Sequence, residues 1–523
     1  MIRIDPFNKE RYDEIRARWD KVAKPLDSLG KFEDITARIG AVHDSAKIDI
    51  RKRAVIMMCA DNGVVAEGVT QSEQDVTAAV AGWMGKGISS VCKMAKICKA
   101  DTIPVDVGIN MEGSPKGVID RKVMKGTRNF AKEPAMTEDE CMQAIDAGID
   151  IVCDCSAKGY KLLATGEMGI GNTTTSSALA AALLGLDAAE VTGRGAGLST
   201  SGLGRKIRVI QDALDRYIPE DDVDIRSPEY ASQMLACVGG LDIAALTGVF
   251  IGGAIYHIPV IIDGFISSVA ALAAERLAPG SRYYMIASHV GKEPGMKYIL
   301  DELGMDAVIH GGLALGEGTG AVMMMPLLDA ALTLYNDGLE FEETTVGQYT
   351  HFDEAKMTLV IGYPDSGKSV LAENIVTKSG SDNSGRYYVA TMIPYGEEGK
   401  LRIKKHRNMR AGKGFTTIEQ PFDVYKAIDR IEQPAESDVL LECVSNLAAN
   451  ELFERHTCAD EVVRKITGDI RKFSKQLRSI VIVSNHYEIE EGFDEETICY
   501  ARTLDRINDK LWDLADEVIE LQK

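Results

Sequence analysis

Basic residues are in deficit. Lys and Arg number 59 against 79 Asp and Glu, which leaves a formal charge of −20. Affinity for a phosphate backbone comes mostly from Lys and Arg, so nucleic-acid binding falls to a minor reading and no nucleic-acid partner is expected. Cysteine forms no framework either: the ten are scattered, and the nearest pair, Cys153 and Cys155, has no Cys or His companions at zinc-finger spacing. Reduced core thiols in a cytoplasmic protein are the expectation. Residues 1–20 are charged throughout and lack an apolar h-region, so no signal peptide is visible. Internal repeats and low-complexity tracts are absent. Long uncharged runs are scarce; Ile243–Ile262 alone approaches bilayer length. It contains His257, Pro259 and three glycines, which predicts a buried helix followed by a buried strand rather than a membrane span.

What is present is material for more than one core. A chain of 523 residues exceeds what one hydrophobic core organises, so two or three domains are expected. The first 350 residues alternate Ala/Gly-rich helical patterns with short β-branched runs at 54–60, 101–108 and 259–264. That alternation predicts an α/β fold with a mainly parallel sheet flanked by helices. T-S-S-A-L-A-A-A-L-L (175–184) and P-L-L-D-A-A-L-T-L-Y (326–335) read as helices whose small residues permit close packing on a sheet. From Tyr335 to Lys356 the composition turns acidic and weakly periodic, as in a linker. A second α/β pattern begins at Met357, with strands T-L-V-I-G, R-Y-Y-V-A-T, D-V-L-L-E-C, I-V-I-V-S-N and D-E-V-I-E-L between charged amphipathic helices. The domains are drawn as 1–345 and 357–523, with 346–356 as linker.

In the second region, G-Y-P-D-S-G-K-S (362–369) follows the apolar run Leu359-Val360-Ile361 and precedes V-L-A-E-N-I. Strand, glycine loop and helix start in that order cradle a nucleoside triphosphate, marking a P-loop NTPase-like domain. Gly362, Ser366 and Gly367 would wrap the phosphates, Lys368 would reach the β/γ-phosphates and Ser369 would ligand Mg²⁺. Glu442, ending D-V-L-L-E-C, stands where a second metal-orienting carboxylate is expected. Between them, His406 is surrounded by six Lys or Arg within 400–410. The stretch is either a solvated basic helix face, or a positive field that holds a triphosphate and keeps the imidazole neutral and nucleophilic.

Two segments stand out in the first region. In G-E-M-G-I-G-N-T-T-T-S-S-A-L (166–179), glycines beside Asn172, Thr173, Thr174 and Thr175 precede a helix. Backbone N–H groups and hydroxyls would converge there on an anion, a monophosphate because no G-K-S/T follows; the alternative is a tight turn with an N-cap. In L-A-L-G-E-G-T-G-A-V (313–322), Glu317 lies between two glycines that would let a flat ligand approach. Walled by Leu313, Leu315 and Val322, its carboxylate would have a raised pKa suited to a general base; the alternative is a helix-capping glutamate on the surface.

Residues 1 to about 340 resemble nicotinate-nucleotide–dimethylbenzimidazole phosphoribosyltransferase. The matching runs are K-P-L-D-S-L-G (24–30), D-N-G-V-V-A-E-G-V (61–69), P-A-M-T (134–137), G-E-M-G-I-G-N-T-T (166–174), G-R-G-A-G-L (193–198), V-G-G-L-D-I-A-A (238–245), D-G-F-I (263–266) and L-G-E-G-T-G-A (315–321). The resemblance implies transfer of phosphoribose from nicotinate mononucleotide to a benzimidazole nitrogen, with release of nicotinate and no cofactor. It makes Glu317 the base, puts Thr70 and Gln74 in the base pocket and Glu167 near the ribose. The 5′-phosphate falls to the loop of Gly169, Gly171, Asn172, Thr173 and Thr174, to Gly193 and Gly195, and to Lys206. A homodimer is also implied. The sequence departs from the family at Ala314, where arginine is usual, and at Asn62, where histidine is common.

Residues 357–523 resemble the bifunctional adenosylcobinamide kinase and adenosylcobinamide-phosphate guanylyltransferase, through G-x-x-x-S-G-K-S, Y-V-A-T (388–391), R-I-x-x-H-R (402–407), L-L-E-C-V (440–444), N-x-L-F (450–453), V-S-N (483–485) and the closing A-D-E-V. That resemblance implies GTP or ATP with Mg²⁺, adenosylcobinamide as partner, and a guanylylated histidine at His406. Asp365 replaces the usual loop arginine. One unit charge about 5 Å from a phosphate, at an effective dielectric near 20, is worth roughly 3 kcal/mol, here with reversed sign. A non-catalytic nucleotide-binding module that regulates or docks is therefore the other reading of this region.

Overall fold

The chain divides into two compact units, Met1–Tyr349 and Thr350–Lys523. The computed structural model describes residues 3–219, 223–349, 356–364, 366–379, 385–393, 413–487, 489 and 492–521.

The first unit is built on β1 (Arg53–Ala60), β2 (Asp101–Gly108), β3 (Ile119–Asp120), β4 (Leu162–Met168), β5 (Val260–Ile262) and β6 (Met285–Ala287). They form one sheet in the order β3-β2-β1-β4-β5-β6, with every pairing parallel. Successive side chains of a strand point to opposite faces. In β1, Ala54, Ile56, Met58 and Ala60 enter one core while Val55, Met57 and Cys59 enter another. With helices over both faces, the strand reads as a continuous apolar run and not as an alternation. A separate parallel pair, β7 (His289–Gly291) and β8 (Ile309–Leu313), lies outside this sheet.

The uncharged run resolves into a buried helix, Leu241–Ile255, followed by β5. Among the described residues no helix is long and apolar enough to cross a membrane. Its small residues serve helix-on-helix contact more than packing on the sheet. A Cβ added at Gly248 would stand 1.9 Å from the carbonyl oxygen of Ile145, and one at Gly148 would stand 2.0 Å from that of Ala245. The helix expected from Pro326 begins earlier, at Thr319, and runs through the proline to Asp337. Proline lacks the N–H that would bond the carbonyl four residues back. That carbonyl, on Val322, accepts instead from the Cys98 thiol at 3.5 Å.

The acidic stretch read as a linker is in part folded onto the first unit. Glu340 bridges to Val22, Leu339 O accepts from Ala23 N at 2.7 Å, and the N–H of Phe341 donates to Lys21 O at 2.9 Å. Phe341 is buried, so one aromatic anchor outweighs the acidic composition around it, and the compact unit takes in residues up to Tyr349. All ten cysteines are free thiols, and no metal-holding cluster of three or more ligating side chains occurs among the described residues.

The second unit is another parallel sheet: β9 (Lys356–Gly362), β10 (Arg386–Ala390), β11 (Phe415–Glu419), β12 (Asp438–Glu442), β13 (Ser479–Asn485) and β14 (Glu517–Leu521), ordered β11-β10-β12-β13-β9-β14. Leu441, Ile480 and Ile482 face one core, Leu440, Val481 and Val483 the other. β11 was not among the strands read from the sequence. It is an edge strand in which Ile418 alone is buried, so it carries no apolar signature.

Candidate active site

Open α/β sheets bind ligands beyond the carboxyl ends of their strands, where the strand order reverses. In the first unit that point lies between β1 and β4. β1 runs out into Asp61-Asn62-Gly63, and β4 into Gly169-Ile170-Gly171, from which the helix Asn172–Leu184 starts. Glu167 is the penultimate residue of β4.

The G-E-G loop closes over this end of β4. A Cβ on Gly166 would stand 2.3 Å from Glu317 O, one on Gly316 would stand 2.8 Å from Glu167 Oε1, and one on Gly318 would stand 2.9 Å from Thr165 O. Gly316, Glu317 and Gly318 have φ of 83°, 61° and 96°. The left-handed region costs a non-glycine residue about 1 kcal/mol or more, and such residues cluster at functional sites. The Glu317 carboxylate accepts the N–H of Val91 at 3.1 Å, in the first turn of the helix Ser90–Ile97. The Glu317 carboxylate thus caps the start of a helix from another segment, while its loop packs against the Glu167 side chain. The expected apolar wall is incomplete, because Leu315 is 58% exposed. The close packing here is backbone on backbone, which leaves that side chain outside.

Glu167 stands half-buried at the end of β4, among carboxylates more deeply buried than itself. Loss of hydration pushes its pKa up to about 8, against the Asn172 hydrogen bond and with help from Asp242, Asp263 and Glu317. Asn172 Nδ2 donates to Glu167 Oε2 and, at 3.0 Å, to Asp242 Oδ2. Asp242 is fully buried, and burial pushes it up to about 6. Asp263 accepts the N–H groups of Gly318 at 3.1 Å and Ala321 at 2.9 Å, which pins the end of the G-E-G loop. Asp242 and Asp263 carry no motif that assigns them a role from sequence. Their signal was an acid inside an apolar run, which burial makes costly unless it is bonded.

At the end of β1, Gln74 Nε2 donates to Asn62 O at 3.1 Å and Gln74 Oε1 accepts from Asn110 at 3.4 Å. Thr70 Oγ1 accepts from Ser72 N at 3.3 Å within its own turn. Asp61 Oδ1 and Asn62 Nδ2 are buried without a hydrogen-bond partner among the described residues.

The expected ring of hydroxyls around the glycine loop is mostly turned inward. Asn172 is spent on the two carboxylates, Thr174 and Thr175 are buried, and Ile170 N donates to Thr77 Oγ1 at 3.1 Å. Thr173 remains on the open side, accepting from Lys206 Nζ at 2.9 Å. Lys206 lies on the helix Thr200–Tyr217 and is fully buried; it also donates to Gly193 O at 3.3 Å. Burial lowers its pKa to about 8, with the charge of Glu293 acting against the shift. Gly195 N donates to Glu293 Oε1 at 3.1 Å. Thr173, Gly193, Gly195 and Lys206 therefore meet, and Glu293, which no sequence motif marks, meets them.

In the second unit, β9 leads through Gly362 and Gly367 (φ 87°) into the helix Lys368–Ser379. A Cβ at Gly362 would stand 2.6 Å from Leu521 O. Lys368 is buried, with Nζ donating to Tyr363 O and, at 3.4 Å, to Ser366 Oγ. Ser369 Oγ donates to Glu442 Oε1, and Tyr388 OH donates to Glu442 Oε2 at 2.8 Å. A hydroxyl and a carboxylate side by side are oxygen donors of the kind a hard divalent cation takes. His406 and Asp365 lie outside the described residues.

Residues 4–346 match the family model described as phosphoribosyltransferase, and residues 358–522 the one described as cobinamide kinase / cobinamide phosphate guanyltransferase. The nicotinate-nucleotide–dimethylbenzimidazole phosphoribosyltransferases of Ruminiclostridium cellulolyticum and Acetivibrio thermocellus are each 43% identical to this chain over 348 residues, spanning 66% of it and 96% and 97% of theirs. The crystal structure of CobT from Thermus thermophilus matches with a TM-score of 0.61 at 38% identity, covering 65% of this chain and 100% of that one. The chain therefore belongs to the phosphoribosyltransferase family over residues 4–346 and carries, over residues 358–522, a region of the cobinamide kinase / cobinamide phosphate guanyltransferase family.

Proposed function

We propose that the first unit transfers phosphoribose from nicotinate mononucleotide to a nitrogen of 5,6-dimethylbenzimidazole or a similar base, giving α-ribazole 5′-phosphate and nicotinate, a step in assembling the nucleotide loop of cobalamin. The observation that carries this reading is the meeting of Glu317 and Glu167 at the reversal point of the sheet, with Asp263 fixing the loop between them. Glu317 takes the N–H proton of the incoming base, its carboxylate positioned by the Val91 N–H at a helix end. The base nitrogen bonds to C1′ as the C1′–N bond to nicotinate breaks. Its electron pair returns to the pyridinium, which leaves neutral at its ring nitrogen. Glu167 lies on the ribose side, and Gln74 and Thr70 belong to the base pocket. Lys206, Thr173 and the Gly193 and Gly195 backbone hold the 5′-phosphate, an arrangement suited to a dianion.

The test is to incubate the full chain with nicotinate mononucleotide and 5,6-dimethylbenzimidazole and to follow products by mass spectrometry. α-Ribazole 5′-phosphate and nicotinate in equal amounts are expected; no nicotinate release with any azole base would end the reading. A homodimer belongs to the same proposal and is read by sedimentation.

For the second unit the reading is a kinase and guanylyltransferase for adenosylcobinamide. The loop Gly362–Ser369 takes GTP or ATP, Ser369 and Glu442 hold Mg²⁺, and His406 carries GMP. The Ser369–Glu442 hydrogen bond supports it. Asp365 in place of a cationic loop residue favours the second reading, a nucleotide-binding module without transfer activity. Intact-protein mass spectrometry after incubation with GTP and Mg²⁺ separates the two. A GMP-sized adduct lost in His406→Ala supports transfer; bound GTP without an adduct supports the module.

A further inference from the structure

We propose that the carboxylate of Glu293 is a built-in occupant of the phosphate cradle, standing in for the substrate's 5′-phosphate until the substrate displaces it. The inference rests on the reading of Thr173, Gly193, Gly195 and Lys206 as the phosphate's partners. Three observations place Glu293 in that seat. Its Oε1 accepts the N–H of Gly195 at 3.1 Å, a donor assigned to the phosphate. A Cβ on Gly193 would stand 1.8 Å from its Oε2, so the carboxylate fills the space that the missing side chain leaves. That Oε2 is buried without a hydrogen-bond partner among the described residues, although a carboxylate oxygen removed from water ordinarily finds one.

The chemistry explains why an anion belongs there. Lys206 is fully buried and its contacts are a hydroxyl and a carbonyl, so an ammonium in the empty cradle would lack a nearby countercharge. Glu293 supplies one. It does so from the short connection between β7 and the helix Gly295–Glu302, where Lys292 and Pro294 are exposed. The side chain can therefore leave without any strand or helix moving. A phosphate dianion brings more charge and more acceptor atoms than one carboxylate, whereas a nucleoside without phosphate brings neither. Glu293 thus raises the threshold for entry and selects for the phosphorylated substrate.

The test uses the full chain, with inorganic phosphate titrated by calorimetry and the KM for nicotinate mononucleotide measured alongside. Glu293→Gln keeps the shape and removes the charge; it is expected to lower the phosphate Kd by about threefold or more and to lower that KM. Glu293→Ala, checked with it for folding by thermal melting, is expected to shift both in the same direction. Phosphate affinity unchanged or weakened in both variants overturns the proposal. Lys206→Met serves as the control: if it leaves the phosphate affinity of the natural chain untouched, the cradle reading itself falls, a result distinct from failure at Glu293.

Discussion

Glu317 Oε2 takes the backbone N–H of Val91 at 3.1 Å, so the carboxylate proposed as the base is held by a helix terminus. The arrangement separates structural role from chemical role. Glu317→Gln keeps an oxygen for the Val91 N–H but cannot accept a full proton. Thermal stability is expected to change by no more than about 0.5 kcal/mol, while kcat for nicotinate release falls by about 10²- to 10⁴-fold. Turnover near the natural level in this variant would remove Glu317 from the base role.

Glu167 links the site to pH-dependent stability. Its pKa rises from an ordinary 4.5 to about 8 on folding, chiefly through lost hydration. The folded state therefore binds more protons than the unfolded state between these values, and stability falls as pH rises through that window. The contribution is fully present below about 4.5 and lost above about 8. Glu167→Gln removes the titration. Melting temperatures compared from pH 6 to about 9 should show the variant gaining on the natural chain as pH rises, by about 1–2 kcal/mol after allowing for partial solvent access. A constant difference across the range would show that Glu167 does not titrate there.

Lys206 gives a profile that also falls with rising pH, in affinity instead of stability. Burial lowers its pKa to about 8, so its charge is present below that pH and lost above it. Nicotinate mononucleotide, whose phosphate is mostly dianionic above about pH 7, should bind with nearly constant strength from about pH 7 to 7.5 and weaken as pH passes 8, approaching tenfold per unit where one proton is required. Calorimetric titration at several pH values checks this; flat affinity up to pH 9.5 would exclude Lys206 as the anion's partner.

Gly248 tests the packing that carries the site. Its missing Cβ would stand 1.9 Å from Ile145 O, backbone that cannot yield as a side chain would. Gly248→Ala is expected to cost about 3 kcal/mol through overpacking, seen as a lower midpoint in urea unfolding. A midpoint within error of the natural chain would mean that the two helices separate freely.

In the second unit, Ser369 donates to Glu442. Ser369→Ala leaves the loop backbone in place and removes one oxygen from the cation site. Binding of a fluorescent GTP analogue should weaken about tenfold with Mg²⁺ present and change little without it. Equal weakening in both conditions would place Ser369 on the nucleotide and not on the metal.

Much of this was legible in the sequence because it is local. The strands β1, β2, β9, β12 and β13 show as apolar runs since both their faces are covered, and the glycine loop before Lys368 is set by its own spacing. The glycines on either side of Glu317 likewise mark its loop as special, and the structure adds that all three residues are left-handed. The edge strand β11 and the docking of Phe341 were not legible, because one buried residue in a polar segment leaves no period to read. Nor was the division of labour among the carboxylates. The sequence singles out Glu317 by its neighbours in the chain, yet the pKa of Glu167 is raised first by lost hydration and then by Asp242, Asp263 and Glu317, which arrive from three other segments. Glu293 reaches Gly195 across 98 residues. Propensity and spacing act within a few residues, so the sequence by itself determines which elements form and which loops are special. Desolvation and Coulomb interaction depend on distance in space, and only the tertiary structure decides which charges share a site.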